Sequence, residues 1–282
     1  MSAFPQIQPI LTVRDLVVEF GGKGLKRRGF RALHGVSIDV RPGETVGLVG
    51  ESGSGKTTLG RSVLGIGPVT SGSVIFDGHD IAKMAPRERR LKDINIQAVF
   101  QDPYTSLNPS MTIEDILTEP LIATGKVSKA DAILRVRTLL DQVALPSDAG
   151  QRYPREFSGG QRQRVAIARA LALSPKLIVC DEPVSALDLS TQARVLDLFV
   201  EIQKATGVAY LFVSHDLSVV RHISHRVAVM SRGEIVEYGD CDQVTARPEH
   251  PYTRRLMLAA PVADPARQAE RRQAFQSLAA AS

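Results

Sequence analysis

The chain has 282 residues, a net charge of +5, 43% hydrophobic residues and 23% charged ones. This globular composition excludes a disordered chain, and so mild a positive charge does not by itself point to nucleic acid. Two cysteines, Cys180 and Cys241, exclude a disulfide scaffold and a CxxC zinc site, and no apolar run approaches the roughly 18 residues that span a bilayer.

Met1–Ile10 carries no basic patch followed by an apolar stretch, so no secretory leader is expected and a reduced, cytoplasmic protein is the starting expectation. Leu11–Phe20 alternates apolar and polar residues and predicts a strand. Gly21–Gly29 predicts a solvated connection. Val36–Val40 and Thr45–Val49 predict short strands split by the turn Arg41-Pro42-Gly43. Thr57–Leu64 predicts a helix and Ser73–Phe76 a further strand. The charged runs Lys26–Arg28 and Arg87–Arg90 read as solvated faces.

In the middle of the chain Ser128 and Asp131 form a capping pattern, and Ile133, Val136, Leu140 and Val143 recur at helical spacing. Gly159–Leu173 also predicts a helix. Strand and helix then alternate: Leu177–Asp181, a helix from about Ser190, Ala209–Ser214, a short helix, and Arg226–Met230. Such alternation predicts a parallel α/β sheet. Beyond Pro248 two proline-interrupted helical stretches are expected.

Gly50-Glu51-Ser52-Gly53-Ser54-Gly55-Lys56-Thr57 fits the phosphate-loop pattern, between a predicted strand and a predicted helix. Its glycines let successive backbone N–H groups turn inward, and the helix N-terminus adds its positive dipole end. Lys56 is expected to reach the β- and γ-phosphates and Thr57 to hold Mg²⁺. Leu177–Asp181 is an apolar strand ending in two carboxylates, Asp181 and Glu182, at the edge where open α/β sheets bind ligands. Asp181 is the expected Mg²⁺ residue, and Glu182 the group that orients and deprotonates an attacking water. Gln101 and His215 also end predicted strands; taken alone, each reads as a structural residue.

Phe157-Ser158-Gly159-Gly160-Gln161-Arg162-Gln163-Arg164 resembles the signature motif of ABC-type ATPases, with Phe157 where Leu is usual. The order of phosphate loop, Gln101, signature, Asp181-Glu182, Ser185-Ala186-Leu187-Asp188 and His215 is that family's order, and the resemblance covers roughly residues 10–247. It implies an α/β cassette: a P-loop NTPase core with a parallel sheet, an antiparallel β subdomain and a helical subdomain at about 102–175. One nucleotide-binding domain, 1–247, would be followed by a short tail, 248–282. The cofactors implied are ATP and Mg²⁺, contacted by residues 50–57 and Thr58, with Gln101 near the metal and His215 at the γ-phosphate. Ser158, Gly159, Gly160 and Gln161 would reach the nucleotide held by a second subunit, and Asp188 would link the two sites. Phe20 is the candidate to stack on adenine.

Gln101-Asp102-Pro103-Tyr104-Thr105-Ser106-Leu107-Asn108-Pro109 and His250-Pro251-Tyr252-Thr253-Arg254-Arg255-Leu256 resemble the peptide/nickel import branch of the family. Some members of that branch hold an iron–sulfur cluster; with only Cys241 in the tail region, none is expected here. The implied assembly is a head-to-tail dimer of two ATPase subunits, paralogues or copies, on two transmembrane permease subunits. An extracytoplasmic substrate-binding protein acts with them indirectly. The implied location is peripheral, on the cytoplasmic face of the inner membrane, and the implied cargo is a di- or oligopeptide. Nickel or another small solute is the alternative. A nucleic-acid ATPase of the same family fits less well, because no long coiled coil, zinc cysteines or second cassette is present. Asp102–Pro109 is expected to be irregular, with Tyr104 and Leu107 as apolar contacts for a membrane subunit.

Overall fold

The computed structural model describes residues 8–21, 29–85, 87–89 and 94–259. In chain order the elements are strands β1 (Leu11–Phe20), β2 (Phe30–Val40) and β3 (Thr45–Val49); helix α1 (Lys56–Leu64); strands β4 (Ser71–Phe76), β5 (His79–Asp80) and β6 (Ile96–Val99); and helices α2 (Pro103–Ser106), α3 (Ile113–Ala123), α4 (Lys129–Gln142) and α5 (Gly159–Leu171). Strand β7 (Leu177–Asp181), helix α6 (Leu189–Thr206), strand β8 (Ala209–Val213) and helix α7 (Leu217–Ile223) follow. Strands β9 (Arg226–Ser231) and β10 (Glu234–Asp240) and helices α8 (Cys241–Ala246) and α9 (Pro251–Ala259) complete them.

Two sheets form. One is antiparallel, in the order β2-β1-β4-β5. In β1 the buried residues are Leu11, Val13, Leu16 and Val18, so the alternation slips by one after Val13. A bulge absorbs the slip: Asp15 adopts a left-handed backbone at φ 45, and its N–H donates to Ser37 Oγ at 2.9 Å. Without it, Leu16 and Val18 would face the wrong side.

The second sheet runs β10-β9-β3-β8-β7-β6, parallel throughout except for the β9–β10 hairpin. All five residues of β3 and of β8 are buried, as in strands covered on both faces. Each large side chain so buried contributes about 1.5–3 kcal/mol. Exposed ion pairs such as Lys176–Asp77 contribute about 0–1 kcal/mol, so apolar packing holds this sheet. The register aligns the C-terminal ends: Leu48 pairs with Val213, Asp181 with Val213, and Val99 with Cys180. Every loop leaving those ends therefore emerges along one edge.

Helices α3, α4 and α5 pack on one another through Ile113, Leu117, Val136, Leu139 and Val165, in a cluster that continues onto β7, β8 and α6. Ser128 caps α4 by accepting the Asp131 N–H at 3.2 Å. Asp102–Pro109 contains one turn of helix, α2, rather than wholly irregular chain. Leu107 is only 2% exposed and belongs to the helical core, which corrects its expected place on an outer surface. Arg89 is a second correction. It turns inward from its charged run, donating to Ile81 O just past β5 at 3.0 Å and to Val63 O in the last turn of α1 at 2.7 Å. Arg90, Lys26–Arg28 and the side chain of Tyr104, the other expected membrane-subunit contact, lie outside the described residues.

Candidate active site

The turn between β3 and α1 sets the geometry of the phosphate loop. Gly50 has φ 153, and a Cβ there would lie 2.2 Å from Met230 O; Gly55 has φ 106 and faces Leu33 and Ala32. Only glycine brings the backbone this close to its neighbours in these conformations. Lys56 is buried with its ammonium folded back into the loop, donating to Gly50 O at 2.7 Å and Glu51 O at 2.8 Å. Burial holds its pKa below the usual lysine value, although Glu182, Asp181 and Glu51 oppose the shift.

Thr57 Oγ1 donates to Asp181 Oδ1 at 3.1 Å, joining the start of α1 to the end of β7. Burial raises the Asp181 carboxyl above the ordinary range; the Thr57 bond, Arg61 and Lys56 counter this, while Glu182 adds to it. The pairing puts a hydroxyl and a carboxylate oxygen together at the mouth of the loop, a hard donor set that suits a divalent cation. Glu182 follows at φ 50, with its N–H donating to Val213 O at 3.0 Å. Its Oε2 lies 3.1 Å from Nδ1 of His215, which stands just past β8. Gln101 is exposed two residues beyond β6, on the same edge as Asp181. Four parallel strands thus bring Lys56, Thr57, Asp181, Glu182, His215 and Gln101 to one rim. Thr58 lies in the first turn of α1.

The signature residues sit elsewhere. Ser158 is the N-cap of α5 in a reciprocal capping box: its Oγ accepts Gln161 N–H at 3.3 Å, and Gln161 Oε1 accepts Ser158 N–H at 2.9 Å. Gly159 opens the helix. Gly160 is buried against α6, where a Cβ would come 2.3 Å from Thr191 Cγ2. Among the described residues, these side-chain bonds run within the signature and none runs to residues 50–57. Asp188 caps α6, accepting from Ser190 N at 3.1 Å, Thr191 N at 3.0 Å and Ser190 Oγ at 2.7 Å. Bonds from Thr191 and Ser190 hold its carboxyl well below the usual range. The next residue, Leu189, is 82% exposed.

Phe20 ends β1 partly exposed, and its cross-strand partner is Phe30, also exposed. Two aromatics therefore stand where the sequence singled out one. Phe30 goes unmarked in the sequence because its partner is set by the β1–β2 register. The tail contributes a further contact: Glu51 N–H donates to Tyr252 Oη at 3.1 Å. No local pattern marks a contact between residues 201 positions apart.

Residues 33–185 match the family described as ABC transporter, and residues 236–281 match the family described as oligopeptide/dipeptide transporter, C-terminal region. The chain is 50% identical over 269 residues to the glutathione import ATP-binding protein GsiA of Escherichia coli (strain K12) and to that of Shigella dysenteriae serotype 1 (strain Sd197). The match covers 94% of this chain and 43% of each relative, so the chain spans less than half their length. Among solved structures it superimposes on cbiO1 from Clostridium perfringens with a TM-score of 0.75 at 28% identity, covering 85% of this chain and 91% of that one. It matches the dimeric post-hydrolysis state of the ATP-binding cassette MJ0796 bound to ADP and Pi with a TM-score of 0.72 at 28% identity, covering 82% and 98%.

Proposed function

The chain belongs to the ABC transporter family and is an ATP-binding cassette of it, and from that premise we propose that it hydrolyses ATP to drive import of di- or oligopeptides. The observation that supports hydrolysis is the rim itself, where the buried Lys56, the Thr57–Asp181 pair and the Glu182–His215 pair converge at aligned strand ends. In this reading Lys56 leaves the carbonyls of Gly50 and Glu51 and pairs with the β- and γ-phosphates, which also receive the loop's N–H groups. Thr57, Asp181 and Gln101 would hold Mg²⁺. An ion held there would supply positive charge against the phosphate oxygens. Glu182 takes a proton from the water whose oxygen attacks the γ-phosphorus; the bond from phosphorus to the ADP oxygen breaks, and His215 keeps Glu182 and the γ-phosphate aligned. Phe20, with Phe30 opposite, offers a face for adenine.

Ser158, Gly159, Gly160 and Gln161 complete the site of a second cassette facing this one head to tail, and Asp188 beside the exposed Leu189 lies between the two sites. The second cassette is a paralogue or a copy. No helix among the described residues is long and apolar enough to cross a membrane. In this reading separate permease subunits couple hydrolysis to transport, with the cassette peripheral on the cytoplasmic face and a substrate-binding protein beyond the membrane; the transporter-family match supports it. A groove of about 390 Å³ beside Gln101, lined by Phe100, Glu119, Pro120, Ala123 and Arg169, separates the sheet edge from the helical subdomain and offers a seat for a short permease helix. This groove replaces Leu107 as the proposed contact. Peptide cargo is supported by the match of residues 236–281, and the resemblance to glutathione importers makes that small peptide the second cargo to test, ahead of nickel or another solute.

Replacing Glu182 by Gln keeps shape and removes the base. Hydrolysis should fall by at least about 100-fold while ATP binding stays within threefold. With its permease partners in vesicles, the variant should also stop peptide uptake. Hydrolysis at the parental rate would remove Glu182 from the mechanism.

A further inference from the structure

The tail helix reaches the phosphate loop, a role that none of the motifs above assigns. Tyr252 and Leu256 of α9 pack on a cluster that includes Met257, Val227, Val229 and Val49, the residue immediately before Gly50. The chain entering α9 is anchored by one carboxylate: Glu237 on β10 accepts Glu249 N–H at 2.9 Å and His250 N–H at 3.0 Å. Nδ1 of His250 then accepts Tyr252 N–H at 3.2 Å. These bonds set the first turn of α9 and deliver the Tyr252 hydroxyl to the N–H of Glu51.

The peptide unit joining Gly50 and Glu51 is thereby held at both poles. Its N–H donates to Tyr252 and its C=O accepts from Lys56. A planar peptide pinned at both ends cannot rotate without breaking both bonds. Beyond this peptide the outer face of the loop borders a cavity of about 570 Å³, walled on the far side by Arg232 and Arg255, so close packing does not fix the loop there. We propose that Tyr252 is a positioning residue of the phosphate loop: its hydroxyl keeps the Gly50–Glu51 peptide in the orientation from which the loop closes on phosphates. The inference needs only that the loop binds ATP and is independent of the cargo.

When ATP leaves or enters, Lys56 exchanges partners, while the Tyr252 bond remains and preserves the loop. Loosening a preorganised loop weakens binding, and saturating nucleotide restores the bound geometry. The effect therefore falls on affinity rather than on turnover. Tyr252→Phe in the full chain removes the hydroxyl and keeps the ring in its cluster. Its Kd for a fluorescent ATP analogue and its KM for ATP should rise about 3–10-fold, with kcat within about twofold. Hydrogen exchange at the Glu51 amide, read by NMR, should accelerate about tenfold or more. Unchanged Kd and KM, unchanged exchange at Glu51, or a fall in kcat at constant KM would each overturn the role of Tyr252. So would a melting midpoint lowered as far as in Tyr252→Ala, which would mark the residue as packing alone. Lys56→Ala is the parallel control: parental ATP affinity in that variant would overturn the loop reading itself, a failure distinct from that of Tyr252.

Discussion

Glu182 carries its carboxylate on a left-handed backbone, which costs a non-glycine residue about 1–2 kcal/mol. The strain persists because the Glu182 N–H is tied to Val213 and its carbonyl to Ser185. Stability and activity therefore oppose each other at this position. Glu182→Gly should abolish hydrolysis yet raise stability to chemical denaturant by about 1 kcal/mol. A loss of stability would mean that the side chain, not the backbone, dominates here. The placement of Lys56, Thr57, Asp181 and Glu182 on one rim is legible in the sequence because each lies at a local spacing from the end of a strand. Arg89 and Leu107 are not, because whether one charge or one leucine turns inward depends on distant partners. For Arg89 those are the carbonyls of Ile81 and Val63.

Among the elements, α5 is specified by its own N-terminus: Ser158 and Gln161 cap it reciprocally, and Gly160 lets it approach α6. Gly160→Ala puts a methyl 2.3 Å from Thr191 Cγ2. It should destabilise the fold by about 1–3 kcal/mol, and Thr191→Ser, which removes that methyl, should recover part of the loss. The docking of α9 has a different character because it hangs on a carboxylate. Burial alone would raise Glu237, but hydrogen bonds, including those from the N–H groups of Glu249 and His250, outweigh it and hold the group below the usual range. A depressed folded pKa gives stability that is fully present above the unfolded value and is lost as pH falls through the folded one. Proteolysis of the tail should thus accelerate at acid pH in the parent protein, and Glu237→Gln should remove most of that dependence. The capping residues of α4 and α5 are legible in sequence because they lie within three residues of each other. The bulge at Asp15 is legible only in hindsight, from the slipped alternation of Leu11, Val13, Leu16 and Val18.

Across the whole molecule one arginine ties the sheets together. Arg226 on β9 donates to Glu44 Oε1 at 2.6 Å and Oε2 at 3.0 Å and to Asp39 Oδ2 at 2.8 Å, and its guanidinium lies 4.9 Å from the Tyr238 ring centre. The Glu44 bonds, set against some desolvation, raise its pKa further. Arg226→Ala leaves the buried Glu44 without its cation and should cost about 3–5 kcal/mol, with both sheets melting in one transition; Arg226→Lys should recover little, because it lacks the planar fork. Sequence alternation predicts the parallel sheet from β7 onward, but it does not reveal β10, whose residues are only partly buried. Nor does it reveal that β6 closes the far edge, which rests on pairing with β7 across the helical subdomain.

Within one chain the side-chain bonds of Ser158 and Gln161 stay inside the signature, and none reaches residues 50–57. If each catalytic unit is assembled from two chains, its abundance follows the square of monomer concentration when monomers predominate. Initial velocity of the isolated protein should then scale as the second power of concentration when dilute, and as the first power once association saturates. A log–log slope of one throughout the dilute range would show that a single chain completes the reaction alone.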